Sequence, residues 1–227
     1  MIAGIQLDPV RRRLLAEAQD DRPEMPEELV PQWEDAPAYF GAFNWSVAHA
    51  PALEADDLLG SLAAIETAAG GRALLYTGDR DMFQCVGDDV AVLWPVGAKG
   101  EPEVIGPKEV DARYGIGPEQ VPDFIALRGD PSDGIPGAKG IGEKTARDLL
   151  RDHATLDDLI AAAAKPSTDL RPRIRASLTD GAQALRDYRE MATLQQVDIE
   201  RPPDARMRGR RSVLGFAAAA IRSSSVA

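Results

Sequence analysis

Gly129-Asp130-Pro131-Ser132-Asp133-Gly134-Ile135-Pro136-Gly137-Ala138-Lys139-Gly140-Ile141-Gly142-Glu143-Lys144-Thr145-Ala146 is the stretch whose reading decides the rest of the chain. Glycines recur at 134, 137, 140 and 142, between a helical pattern over Glu119 to Leu127 and another over Glu143 to Arg151. Closely spaced glycines let a backbone turn tightly and approach a ligand. Free N–H groups at the start of the second helix can then bind a phosphate oxygen. Lys139, Lys144, Arg147 and Arg151 add positive charge nearby. Together these features predict a grip on a nucleic-acid backbone that does not read base sequence. The bland alternative is a loop packed between two helices, but it gives the lysines and the second Gly-x-Gly no reason to sit where phosphate contact needs them. A Walker A loop is excluded, because its spacing is absent and the segment follows a helix rather than a strand.

Upstream, apolar runs at Ala73–Tyr76, Val90–Trp94 and Val104-Ile105 read as short strands. Leu58, Leu59, Leu62, Ala63 and Ile65 have helical spacing, ending at Gly70-Gly71. Short helices are expected over Asp81 to Cys85 and Pro107 to Tyr114. Strands alternating with helices predict an open, mostly parallel α/β sheet. Earlier still, the pattern suggests helices over Arg11 to Ala18 and Glu27 to about Phe43, and a short strand over Val47 to Ala50. Another helix starts at Thr155, and the chain beyond Lys165 is helical and richer in arginine.

Three acidic groups punctuate this pattern: Glu54-Ala55-Asp56-Asp57 at a helix start, Asp79-Arg80-Asp81 after a strand, and Asp130-Pro131-Ser132-Asp133 in the glycine-rich turn. Taken singly, each has an ordinary explanation. Acids in a first helical turn suit the macrodipole, and the other two have common turn compositions. Taken together, they are harder to dismiss. Ligand sites in open α/β sheets gather at the C-terminal ends of strands, and so many carboxylates in one pocket cannot all stay ionised without counter-charge. Hard divalent cations supply that charge, and a pair of them suits phosphodiester hydrolysis.

Composition narrows the chemistry. A single cysteine, Cys85, excludes an internal disulfide and a cysteine metal cluster, and suits a reducing cytoplasm. His49 and His153 are too few and too far apart for a histidine site, so a metal must sit on oxygen ligands, which points to magnesium or manganese. No apolar run is long enough to span a membrane, and the start lacks the charge order of a signal peptide. A net charge of −11 excludes a protein that coats nucleic acid through bulk charge, but not one with a local basic surface.

Three motifs in order resemble the bacterial 5′→3′ exonuclease family, which includes the N-terminal nuclease domain of DNA polymerase I and is related to flap endonucleases. Glu54 to Gly60 is similar to its first internal acidic motif, Tyr76 to Gln84 to its second, and Leu127 to Ala146 to its helix–three-turn–helix (helix-hairpin-helix) DNA clamp. The resemblance implies a PIN-like α/β nuclease core over residues 1–115, lacking its first strand, and a helical subdomain with the clamp over 116–227. It implies Glu54, Asp56, Asp57, Asp79, Asp81, Asp130 and Asp133 as catalytic metal ligands or supporting acids for two magnesium or manganese ions. It implies Gly137, Lys139, Gly140, Gly142, Lys144 and Thr145 as phosphate contacts, and a potassium ion on hairpin carbonyls. The expected activity is hydrolysis of DNA at 5′ ends and flaps, in replication or repair, by a cytoplasmic monomer acting on duplex DNA and away from membranes.

The family's opening strand, ending in an aspartate, has no clear counterpart. Asp8 stands in the nearest position, and Arg11 and Arg22 in the place of basic gateway helices. A second reading, a non-catalytic duplex-DNA-binding relative, therefore stands beside the first. An RNA-cleaving PIN domain is a third, against which the glycine clamp counts.

Overall fold

The structure is a computed structural model. It describes residues 25–43, 47–48, 53–96, 100–167, 169–197 and 199. The helix expected over Arg11 to Ala18, Asp8, Arg11 and Arg22 lie outside the described residues, as does the place of the family's opening strand. Among the described residues, packing gives two compact units, one within residues 25–104 and 194–199, the other within 105–193. The division at 115/116 drawn from the sequence falls inside the second of these.

In the first unit, a 3-10 turn at Glu27–Leu29 leads into α1 (Val30–Ala42). The helix expected from Glu27 to Phe43 thus begins as a tighter turn, with proline at its α-helical start. None of its residues is buried, and Tyr39 and Phe43 are exposed. The strand expected at Val47 is not formed at residues 47–48, and 49–50 lie outside the described residues. The apolar stripe Leu58, Leu59, Leu62 and Ala63 forms the buried face of α2 (Ala55–Ala68).

β1 (Ala73–Tyr76) and β2 (Val90–Trp94) pair in parallel, with Leu75 opposite Val92, both buried. β3 (Glu103–Ile105) lies beyond β2, giving the order β1-β2-β3. The fold is therefore mixed α/β with a small sheet, as the strand–helix alternation predicts. The crossover between the parallel strands is a 3-10 turn, Asp81–Cys85, in place of a full helix. Met82 and Phe83 anchor it in the core, with the Phe83 ring 5.2 Å from that of Trp94. Each such burial stabilises by roughly 1.5–3 kcal/mol.

The second unit is helical. α3 (Pro107–Tyr114) precedes a 3-10 turn at Pro118–Gln120 and α4 (Val121–Arg128). The single helix expected over Glu119 to Leu127 is divided there, with proline at the first positions of each piece. α4 buries Val121 and every residue from Asp123 to Leu127, as a helix surrounded by others must. α5 (Glu143–His153), α6 (Leu156–Ala164), α7 (Pro172–Asp180) and α8 (Ala182–Ala192) complete the unit. Asp123 is the buried polar tie: its Oδ2 accepts the Leu156 N–H at 2.8 Å, at the start of α6. Burial pushes its carboxyl above the usual range, against the pull of the Leu156 N–H and Arg189. Arg189 reaches Asp157 at 2.7 Å, and its hydrogen bond with Asp157, joined by that of Arg186, holds the Asp157 carboxyl below the usual range. No helix among the described residues is long and apolar enough to cross a membrane.

Candidate functional site

Within the first unit, α2, which carries Glu54, Asp56 and Asp57 at its start, packs against β1, and Asp79 and Asp81 follow the C-terminal end of that strand. The 3-10 turn that begins at Asp81 packs on α2, and Cys85 Sγ lies 3.3 Å from where a Cβ on Gly60 would stand.

The two motifs are sewn together by a segment distant in sequence. The Leu194 N–H donates to Gln84 Oε1 at 3.0 Å, and the Gln195 N–H donates to Asp57 Oδ1 at 2.7 Å. Ser61 continues the seam. Its hydroxyl donates to the Asp57 carbonyl at 2.7 Å and accepts the Val197 N–H at 2.9 Å.

This geometry sorts the acids. Asp57 is fully buried, and its second oxygen accepts the Glu54 N–H at 3.4 Å. Both of its oxygens therefore serve the backbone, and the helix-start explanation from the sequence applies to it. Glu54 and Asp56 are half-buried beside it. Asp79 closes a local turn: its N–H donates to Thr77 Oγ1 at 3.0 Å, while its Oδ1 accepts the Asp81 N–H at 3.0 Å. That turn fixes both carboxylates just beyond the strand. Gln84, Ser61 and the Leu194–Val197 segment are hydrogen-bonded neighbours of this motif that sequence reasoning missed. Pairings across more than a hundred residues leave no local signal.

The chemistry of the donors is hard. Burial, assisted by the Asp56 charge, pushes the Cys85 thiol up to about 12, so it stays protonated and is no thiolate ligand. The carboxylates suit magnesium, manganese or calcium rather than soft metals.

In the second unit, the third acidic group opens the glycine-rich turn. Asp130 Oδ2 accepts from Arg128 Nη2 at 2.8 Å, and its Oδ1 accepts the Ser132 N–H at 3.0 Å and the Ser132 hydroxyl. Asp130 also forms a short antiparallel bridge with Ile135, with 2.8 Å hydrogen bonds in both directions. Asp133 is half-buried at the end of the 3-10 turn Pro131–Asp133.

The turn then folds back on α4, where the Ala138 N–H donates to the Leu127 carbonyl at 2.9 Å. Ile135, Ala138 and Ile141 are its buried pegs. Gly137 has φ +73°, and a Cβ there would stand 2.5 Å from the Gly129 nitrogen. Only glycine permits that approach. Outward, the N–H groups of Lys139, Gly140 and Gly142 have no protein acceptor among the described residues, and those of Glu143, Lys144 and Thr145 are the free first-turn donors of α5. Lys139 and Lys144 are exposed beside them. The sequence-based estimate of positive charge is corrected at two places. Arg147 pairs with Asp148 at 3.0 Å, and Arg151 lies near Asp148 and Asp152 at 3.8 and 3.5 Å, so neither adds a bare cation. The candidate nucleic-acid surface narrows to the amides and the two lysines.

Residues 4–115 match the model of the 5′-3′ exonuclease N-terminal resolvase-like domain, and residues 116–210 that of the 5′-3′ exonuclease C-terminal SAM fold. A 5′-3′ exonuclease of Mycobacterium tuberculosis is 40% identical over 167 residues, covering 70% of this chain and 52% of that protein. DNA polymerase I of Mycobacterium bovis is 36% identical over 184 residues, covering 81% of this chain and 20% of that protein. The chain thus spans about half the length of the first relative and about a fifth of the second. Among solved structures, a T5 5′-exonuclease with bound zinc ions has a TM-score of 0.66 at 19% identity, covering 80% of this chain and 69% of that one. The catalytic core of Rad2 in complex with DNA substrate has a TM-score of 0.58 at 16% identity, covering 86% of this chain and 65% of that one. The structural likenesses support the fold, while the two family models meet end to end at residue 115/116 and leave little of the chain unmatched: the chain belongs to the 5′-3′ exonuclease family.

Proposed function

We propose that this chain is a divalent-metal-dependent 5′→3′ exonuclease and structure-specific 5′-flap endonuclease, hydrolysing DNA phosphodiesters. The observation that carries this reading is the pair Asp79 and Asp81, fixed by a backbone-locked turn just beyond β1. Family membership supports it, as does the bound metal named for the T5 neighbour and the DNA substrate named for Rad2.

In this reading, Glu54, Asp56, Asp79, Asp81 and Asp133 are the metal-holding carboxylates. Asp57 and Asp130, already engaged by backbone N–H groups and Arg128, are positioning acids. Two magnesium or manganese ions would supply an activated water and neutralise charge on the attacked phosphate. The hairpin holds the duplex through the amides of Gly140, Gly142, Lys144 and Thr145 and the charges of Lys139 and Lys144, with Gly137 keeping it seated on α4. It contributes position and not base specificity. A potassium ion at the hairpin carbonyls, action as a monomer, a cytoplasmic site and a role in replication or repair belong to the same proposal. So does the functional division into a nuclease core over 1–115 and a clamp subdomain over 116–227.

The test compares a labelled 5′-flap duplex with single-stranded RNA of the same sequence in magnesium. Cleavage of the flap and not the RNA is expected. Tight flap binding with no cleavage at any magnesium or manganese level would leave only a DNA-binding module, and RNA cleavage would favour the PIN-type ribonuclease.

A further inference from the structure

The helical unit carries a groove of about 550 Å³ beside the hairpin, lined on one side by Gly137, Ala138 and Lys139 and on the other by α7 and the start of α8. Arg173, in the first turn of α7, stands at the place where groove and hairpin meet. A Cβ on Gly140 would lie 3.2 Å from Arg173 Nε and 3.5 Å from its Cζ, so the guanidinium lies against bare hairpin backbone.

Most other arginines of the helical unit have an acidic or carbonyl partner, while Arg171 at the start of α7 is exposed like Arg173. Arg128 pairs with Asp130, Arg147 and Arg151 with Asp148, and Arg186 and Arg189 with Asp157, while Arg175 donates to the Ala163 carbonyl. Among the described residues Arg173 has no ion pair and remains exposed. Arg173 stands beside hairpin N–H groups that have no protein acceptor among the described residues, so an anion there would meet the guanidinium and those donors together. Lys139 adds a second cation on the same groove. Asp180, at the α7 C-terminus on the far side, disfavours an anion deeper in.

We propose that Arg173, with Lys139, binds a backbone phosphate of duplex DNA at the groove mouth, next to the phosphate held by the hairpin amides. The DNA footprint therefore extends from the hairpin onto α7. A guanidinium is suited to this role because its planar donors can take two phosphate oxygens at once. The inference rests on the reading of the hairpin as a duplex clamp.

The experiment measures equilibrium binding of a 5′-flap duplex in EDTA across a salt series, for wild type, Arg173→Ala, Arg173→Lys and Lys144→Ala, with the melting temperature of each. Arg173→Ala is expected to weaken binding roughly tenfold and to lower the log–log salt slope by about 0.9, the signature of one lost phosphate contact. Arg173→Lys should restore the slope, and the melting temperature should stay within wild-type scatter. Wild-type affinity and slope in Arg173→Ala, with Lys144→Ala impaired, would overturn the α7 contact and leave the clamp standing. A weakened Arg173→Ala with an unchanged slope and a lower melting temperature would reduce Arg173 to a packing role, which also overturns it. No duplex binding by wild type would remove the clamp reading itself. Saturable binding of inorganic phosphate, undisplaced by DNA, would assign the groove to a small anion instead.

Discussion

Asp79→Asn is expected to slow magnesium-dependent hydrolysis of 5′-flap DNA by about 10³-fold, while leaving duplex binding and the melting temperature near wild type. The variant is chosen for what it preserves. Asn keeps an oxygen able to accept the Asp81 N–H that Asp79 Oδ1 now accepts at 3.0 Å, so the turn after β1 survives. What it removes is one negative charge from the group proposed to hold metal. A bound cation contributes several kcal/mol of transition-state charge stabilisation, and each 1.36 kcal/mol is tenfold in rate. Single-turnover cleavage rates over a magnesium titration would measure the loss. A variant cutting within a few-fold of wild type would mean that Asp79 only builds its turn. Asp81→Asn should behave in the same way, since its backbone bond to Asp79 does not involve its own side chain.

The largest effect on stability is expected at Gly137. Gly137→Ala forces a non-glycine residue into φ +73° and sets its methyl carbon 2.5 Å from the Gly129 nitrogen and 2.6 Å from the Arg128 carbonyl carbon. The left-handed conformation costs roughly 1–2 kcal/mol, and forced overpacking typically adds about 1–3 kcal/mol. A loss of about 2–5 kcal/mol should appear as a lower denaturant midpoint, and duplex binding should fall because the hairpin is pushed off α4. Gly142→Ala is the control. Gly142 has φ −99°, and no atom lies within 4 Å of its added Cβ. It should unfold within about 1 kcal/mol of wild type, the scale of an uncrowded glycine-to-alanine change. Equal destabilisation by both substitutions would contradict the close approach at Gly137.

What the sequence made legible is what depends on near neighbours. Ala73–Tyr76 and Val90–Trp94 are strands over the residues their apolar runs mark, and Pro107–Tyr114 is a helix whose start is set by its proline and whose end is set by Gly115. The glycine spacing likewise announced the hairpin. Roles set by distant partners were not legible. Asp56 and Asp57 are adjacent acids in the same motif, yet only Asp57 is fully buried and tied to the Gln195 N–H. Arg147 and Lys144 look alike as cations in the sequence, but Asp148 neutralises only the first. Val47 has strand composition, yet residues 47–48 are not in a strand, and composition alone does not supply the partner that a strand needs. The seam from Leu194 to Val197 brings the chain back to α2 from the end of α8, and no periodicity foretells such a return.

The most direct test of the central claim is metal add-back to a preformed complex. The chain would be stripped with EDTA, bound to a 5′-labelled flap duplex, and then given magnesium in the same tube. Binding without cleavage is expected before magnesium, and cleavage near the flap junction on its addition, reversed by fresh EDTA. A complex that forms normally and never cuts, with magnesium or with manganese, would contradict the assignment of the carboxylates as a nuclease centre.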